Sequence, residues 1–126
     1  MVTRLTSERI PPAVGSYSSA SRTGNLIFTS GQLPINAETG QIDHADIEWQ
    51  VGQSLNNIKA ILEDNGTSMS CIVKTTVYLK NIEDFAAFDK VYQAFFEEDY
   101  PARTAFAVGS LPMGALVEIE AVAEVK

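Results

Sequence analysis

Residues 47–65 read IEWQVGQSLNNIKAILEDN, and this segment carries the clearest periodicity in the chain. Its apolar side chains recur at spacings of three and four and therefore share one stripe of a helix: Ile47, Val51, Leu55, Ile58 and Leu62. Asp46 precedes the segment and is a favourable N-cap, and Asn65-Gly66 ends it because glycine readily adopts the left-handed conformation. The pattern predicts an amphipathic helix that buries this stripe.

The segment that follows predicts a strand and then a second helix. Residues 71–80 alternate in character, and one face of the strand is formed by Val73, Thr75, Val77 and Leu79. Asn81 is expected to cap the second helix, which carries an aromatic stripe: Phe85, Phe88, Tyr92 and Phe95. An aromatic stripe at this spacing is typical of a protein core, so we expect these rings to pack between the helix and the sheet.

Further strands are predicted on either side of this unit, over residues 25–30, 102–109 and 115–126. The order predicts an α+β fold, with one sheet and two helices on one face, formed by a single domain that spans residues 1–126. The uncovered face of the sheet would show apolar groups among charged ones: Thr76, Tyr78, Leu116 and Val122. Such a surface usually meets a partner, so a homo-oligomer is expected on physical grounds.

Composition and charge narrow the classes of function. Lys plus Arg number 9 and Asp plus Glu number 16, a net charge of −7 that disfavours non-specific binding to nucleic acid. Cys71 is the only cysteine, so neither an intramolecular disulfide nor a CxxC site is expected. Residues 1–10 do not resemble a signal peptide, and no apolar run is long enough to span a bilayer. We therefore expect a cytoplasmic protein that makes no contact with a membrane.

Few residues offer chemistry. His44 is the only histidine, so a metal site or a serine–histidine–aspartate triad is not expected, and no phosphate-binding glycine motif is present. Arg103 opens a strand among small residues, where a planar guanidinium suits the capture of a small carboxylate; an internal ion pair with a glutamate is the alternative. Glu118 and Glu120 lie about 7 Å apart on one strand face. If the two carboxyl groups are desolvated, their pKa values are raised and they suit proton transfer. From the residues alone, the favoured interpretation is instead a strand face that is solvated or salt-bridged.

Several short motifs together resemble one known family. They are GSYSSA at 15–20, TSGQLP at 29–34, YPART at 100–104, LPMGA at 111–115 and VEIEA at 117–121. In this order and spacing they are similar to the RidA/YjgF family. The resemblance implies a chorismate-mutase-like fold with one mixed sheet, and a homotrimer whose sheets form a central barrel with active sites between subunits. It also implies hydrolysis of the reactive enamines and imines 2-aminoacrylate and 2-iminobutyrate to 2-keto acids and ammonia, without a cofactor.

The resemblance also implies roles for individual residues. Arg103 would hold the substrate carboxylate, with help from the backbone N–H of Gly31. Tyr17 would close the pocket, and Ser30 would line it. Glu118 would orient and activate the attacking water, which is a small task because an iminium carbon is already electrophilic.

Three positions depart from the pattern that the resemblance implies. Ala105 stands where a cysteine is common, which excludes thiol chemistry at that substrate-binding position. Asp89 stands where an asparagine is common and adds negative charge beside a site for an anion. Ser16 replaces a proline before Tyr17. Two other functions stay open: a non-catalytic regulatory trimer that binds 2-keto acids, and RNA cleavage or translational inhibition, which the acidic charge disfavours.

Overall fold

The computed structural model describes residues 1–126, which form one six-stranded mixed sheet with two helices. The strands are β1 (Val2–Leu5), β2 (Ala20–Thr23), β3 (Leu26–Thr29), β4 (Ile72–Leu79), β5 (Ala102–Ala107) and β6 (Val117–Glu124). The helices are α1 (Ile47–Asp64) and α2 (Phe85–Phe96). The strand order is β1-β2-β3-β6-β4-β5, and β4 and β5 form the only parallel pair. The α+β fold with one mixed sheet is confirmed.

Helix α1 forms as its sequence predicts. The Asp46 carboxylate accepts a hydrogen bond from the Trp49 backbone N–H at 2.9 Å, and Gly66 follows the helix with φ of +87°. Ile47 at the start of the predicted stripe is only partly buried. The other four stripe residues are fully buried against the sheet and α2: Val51, Leu55, Ile58 and Leu62. Burial of this stripe fixes α1 on one face of the sheet.

Helix α2 begins later than the sequence predicts, so the expectation that Asn81 caps it is wrong. Asn81 instead precedes a short 3₁₀ turn, in which the Asp84 N–H donates to the Asn81 carbonyl at 3.1 Å. The helix itself starts at Phe85, and neither Asn81 nor Asp84 makes a side-chain capping bond. The aromatic stripe is confirmed as core at Phe88 and Tyr92, which are buried together with Phe96. Phe85 and Phe95 are only partly buried and pack against the edge of the core.

Strand β4 contains an irregularity that changes one predicted core position. Val73 is 50% exposed rather than buried, because the register shifts between Ile72 and Lys74 as in a β-bulge. Ile72 takes the inward position in its place. Beyond the bulge, Thr75, Val77 and Leu79 are buried as expected. The strand predicted over 102–109 ends two residues earlier, as β5, and the strand predicted over 115–126 is two residues shorter at each end, as β6.

The face of the sheet away from the helices is only partly covered. Phe28 and Phe106 are 43% and 44% exposed, and the Phe106 ring packs edge-on against Tyr78 with centroids 5.5 Å apart. Thr76, Leu116 and Val122 are half-buried on the same side. The predicted half-apolar face therefore exists, and the trimer stays a prediction. Neither helix has the length and apolar character needed to cross a membrane.

Candidate functional site

Arg103 lies on the face of the sheet that carries the helices. Its register partner is Thr75, which is buried and shares a 2.7 Å hydrogen bond with the Tyr92 hydroxyl on α2. The Arg103 guanidinium carbon lies 4.9 Å from the ring centroid of Tyr92, 5.2 Å from that of Phe85 and 5.3 Å from that of Phe88. Three aromatic faces at these distances attract the cation and restrict its orientation.

An ion pair with Asp89 also holds the Arg103 guanidinium in place. The Arg103 Nη1 donates to Asp89 Oδ1 at 2.7 Å, and Gln93 Nε2 donates to Asp89 Oδ2 at 3.0 Å. The hydrogen bond from Arg103 has the larger effect and that from Gln93 the smaller, and together they hold the pKa of Asp89 below its usual value. The alternative of an internal ion pair is thus correct in kind, but its partner is an aspartate rather than a glutamate. Arg103 Nε and Nη2 donate to no group of the chain and remain available.

An open pocket of about 520 Å³ adjoins this ion pair. It is lined by Asp89, Tyr92, Gln93, Tyr100, Pro101 and Arg103. The Arg103 and Asp89 side chains are 26% and 32% exposed, so both charges reach the opening. Ala105 lies on the same face of β5 but packs against the core and does not line the pocket.

Glu118 lies on the opposite face of the sheet, in register with Tyr78. Burial raises the pKa of Glu118, and the charge of Glu120 raises it further. Glu120 accepts a 3.1 Å hydrogen bond from the Tyr78 hydroxyl, so the two glutamates have different environments on the same strand face. Glu118 is half-buried and forms no ion pair, so this carboxyl is partly solvated but not salt-bridged.

The Glu118 carboxyl packs directly over Gly31. A Cβ at Gly31 would overlap Glu118 Oε2 and would lie 2.9 Å from its Cδ, so a larger residue there must displace the carboxyl. The hydrogen bonds between Gln32 and Ile119 hold this segment beside β6. The Gly31 N–H has no acceptor within the chain and is available to a ligand. Glu118 and Gly31 thus offer an acceptor and a donor side by side.

Tyr17 and Ser30 lie near this group in different ways. Tyr17 is 55% exposed and lines a cavity of about 300 Å³ that also includes Gly31. The Ser30 hydroxyl donates to the Ser18 carbonyl at 2.6 Å and does not line that cavity. Ser30 therefore supports the loop that carries Tyr17 rather than presenting a free hydroxyl.

The expected site residues form two separate groups within one chain. Arg103 is level with Thr75 and Glu118 with Tyr78, and residues three apart on a strand point to opposite faces. The Arg103 pocket and the Tyr17 cavity have no lining residue in common. A single chain therefore does not bring Arg103 and Glu118 to one substrate.

Comparison with known proteins identifies the family. The family described as Endoribonuclease L-PSP matches residues 7–125 of the chain. The chain belongs to this family, also called RidA/YjgF. A RutC family protein from Pyrococcus abyssi is 48% identical over 116 residues, which cover 92% of this chain and 91% of the relative. The 2-iminobutanoate/2-iminopropanoate deaminase of Escherichia coli is 44% identical over 122 residues, or 94% of both chains.

Solved structures of the RidA/YjgF family share the fold. The crystal structure of the yjgF gene product from Escherichia coli has a TM-score of 0.93 and 42% identity, and the match covers 98% of this chain and 99% of that one. The family resemblance predicted from the five motifs is therefore confirmed.

Four residues that line the Arg103 pocket were not among those that the sequence indicated as functional: Tyr92, Gln93, Tyr100 and Pro101. Gln93 lies one helical turn after Asp89, and this i, i+4 spacing could have indicated the hydrogen bond between the two side chains. Tyr100 belongs to a recognised motif, but no local pattern shows that its half-exposed ring lines the Arg103 pocket. No group of three or more His, Cys, Asp and Glu side chains is arranged to hold a metal ion.

Proposed function

We propose that this RidA/YjgF protein hydrolyses small reactive enamines and imines, such as 2-aminoacrylate and 2-iminobutyrate, to 2-keto acids and ammonia. The observation that carries the proposal is the Arg103 guanidinium, which is fixed by Asp89 and three rings while its Nε and Nη2 edge stays free at an open pocket. A free planar edge of this kind suits a small carboxylate. The name of the Escherichia coli relative supports the class of substrate.

The proposed assembly is a homotrimer with its sites between subunits. Arg103 and Glu118 lie on opposite faces of the sheet, so a site that uses both must combine two copies of the chain. The half-apolar face around Phe28 and Phe106 offers a surface for that association. The cytoplasm is the proposed location, in keeping with one free cysteine and no disulfide.

The proposed chemistry needs only water and the two groups of side chains. Arg103 binds the carboxylate of the imine, and a water molecule is held by Glu118 beside the Gly31 N–H. Glu118 accepts a proton as the water oxygen forms a bond to the imine carbon, and the electron pair of the C=N bond moves to nitrogen. For the protonated imine this gives a carbinolamine, and Glu118 then returns the proton to its nitrogen. The hydroxyl of this intermediate gives its proton to Glu118 as the C=O bond forms and the C–N bond breaks, so that the 2-keto acid and ammonia leave and the last proton passes from Glu118 to ammonia. An enamine first gains a proton at carbon to give the imine.

Two other functions make different predictions. A regulatory trimer that binds 2-keto acids would use Arg103 in the same way, but it would show binding without turnover. Cleavage of RNA is suggested by the family description. It is disfavoured because the net charge is −7 and phosphate contacts need clustered Lys and Arg.

The test measures how fast an imine decays when this protein is present. An amino-acid oxidase or a dehydratase in the same reaction produces the imine. Glu118→Gln should slow hydrolysis about a hundredfold or more while 2-oxobutanoate still binds, because the lost group acts on the water. Glu120→Gln is the matched control on the same strand face and should retain most of the activity. Binding of 2-oxobutanoate by the native protein without any acceleration of imine decay would favour the regulatory function instead.

A further inference from the structure

The pocket at Arg103 presents two opposite charges to solvent. Arg103 and Asp89 both reach its opening, and the other lining residues are uncharged: Tyr92, Gln93, Tyr100 and Pro101. The part of the wall that one chain contributes therefore has no net charge. A pocket for a simple carboxylate anion gains from a net positive wall, so this balance calls for a different kind of ligand.

Both partners of the ion pair keep unused bonding capacity. A carboxylate can accept about four hydrogen bonds, and Asp89 accepts one from Arg103 and one from Gln93. Arg103 uses only Nη1 in the pair. A ligand can therefore meet a free guanidinium edge and a free carboxylate lone pair at the same opening, without breaking the ion pair. The low pKa of Asp89 keeps this carboxylate charged at neutral pH.

We infer that Asp89 determines the charge class of the ligand. The pocket selects small acids whose carboxylate is accompanied by a positive nitrogen on the adjacent carbon, and it disfavours 2-keto acids, which carry the carboxylate alone. The ligand carboxylate meets Arg103, and its nitrogen meets Asp89. The inference rests on the proposed function, in which the protonated imine has that nitrogen and the keto acid product lacks it. Asp89 thus favours binding of the reactant and release of the product.

The test compares two ligands that share one carbon skeleton, 2-aminobutanoate and 2-oxobutanoate, by titration calorimetry on the full chain. The native protein should bind the amino acid more tightly. Asp89→Asn should shift the ratio of the two Kd values toward the keto acid by about tenfold, as expected for removing a partly screened charge a few ångströms from the ligand. Asp84→Asn makes the same change in net charge outside the pocket and should leave the ratio unchanged.

Asp89→Glu provides a second variant that keeps the charge, and it should keep the preference of the native protein. An unchanged ratio in a correctly assembled Asp89→Asn protein overturns the inference. Failure of the native protein to bind 2-aminobutanoate more tightly than 2-oxobutanoate overturns it as well. Because binding is measured without turnover, imine hydrolysis with an unchanged ratio refutes only the role of Asp89. A shifted ratio without hydrolysis refutes only the proposed reaction.

Discussion

Mixed oligomers of two inactive variants test the division of the site between subunits. The two variants are Arg103→Ala, which damages the helix-side pocket, and Glu118→Gln, which damages the opposite face. If each site combines Arg103 of one subunit with Glu118 of another, some sites of a mixed oligomer carry no damage. If both residues act within one chain, every site carries one of the two lesions.

The expected signal follows from the contacts of each residue. Arg103→Ala removes a two-pronged contact with the substrate, at roughly 1.5–3 kcal/mol for each hydrogen bond to a charged group. A loss of about 3 kcal/mol lowers the rate over a hundredfold. It also leaves the Asp89 carboxylate without its 2.7 Å partner. In a closed ring of three subunits that contains both variants, about one site in three receives an intact residue from each side. Doubly tagged oligomers should therefore reach about a third of native activity, far above either variant alone.

The assay measures imine decay after the two variants are produced together with different affinity tags and the doubly tagged oligomers are purified. A mixture of Glu118→Gln with Gly31→Ala is the matched control, because both changes damage the same half and no site should recover. Doubly tagged Arg103→Ala and Glu118→Gln oligomers that stay as inactive as their parents would refute the division of the site. Light scattering on the same samples checks the predicted trimer.

Four further predictions concern single features. Gly31→Ala should lower turnover at least tenfold with little loss of stability, because the added Cβ must displace the Glu118 carboxyl. A native-like kcat in this variant would show that the position of the Glu118 carboxyl over Gly31 does not matter for turnover. The rate should fall as the pH drops through the raised pKa of Glu118, since only the ionised carboxylate accepts a proton, and Glu120→Gln should move this limb to lower pH without abolishing it. A pH–rate profile shows both effects, and an identical limb in Glu118→Gln would argue against the assignment. Tyr92→Phe should lower the free energy of unfolding in urea by about 1–3 kcal/mol, because it leaves the buried Thr75 hydroxyl unpaired; a change near zero would show that Thr75 finds another partner. EDTA should not affect hydrolysis, and activity restored by one divalent ion after its loss would overturn this expectation.

Patterns of local periodicity were sufficient to predict most of the fold. The stripe from Val51 to Leu62 is regular because one face of α1 is buried along its length. Errors arose where tertiary contacts override the local pattern. Val73 alternates correctly in sequence, but the bulge beside Ile72 turns its side chain outward. Asn81 has the chemistry of an N-cap, but a 3₁₀ turn separates it from α2.

The relation between Arg103 and Glu118 shows what periodicity alone leaves undetermined. Each residue can be placed on a face of its own strand from the alternation of its neighbours, yet the relative orientation of β5 and β6 depends on their registers with β4. A shift of one residue in either register would put both side chains on the same face. The observed registers put Arg103 beneath α2 and Glu118 over Gly31. The pairing of β4 with its two neighbours therefore makes the proposed active site depend on a second copy of the chain, which the family resemblance implied but local periodicity alone could not show.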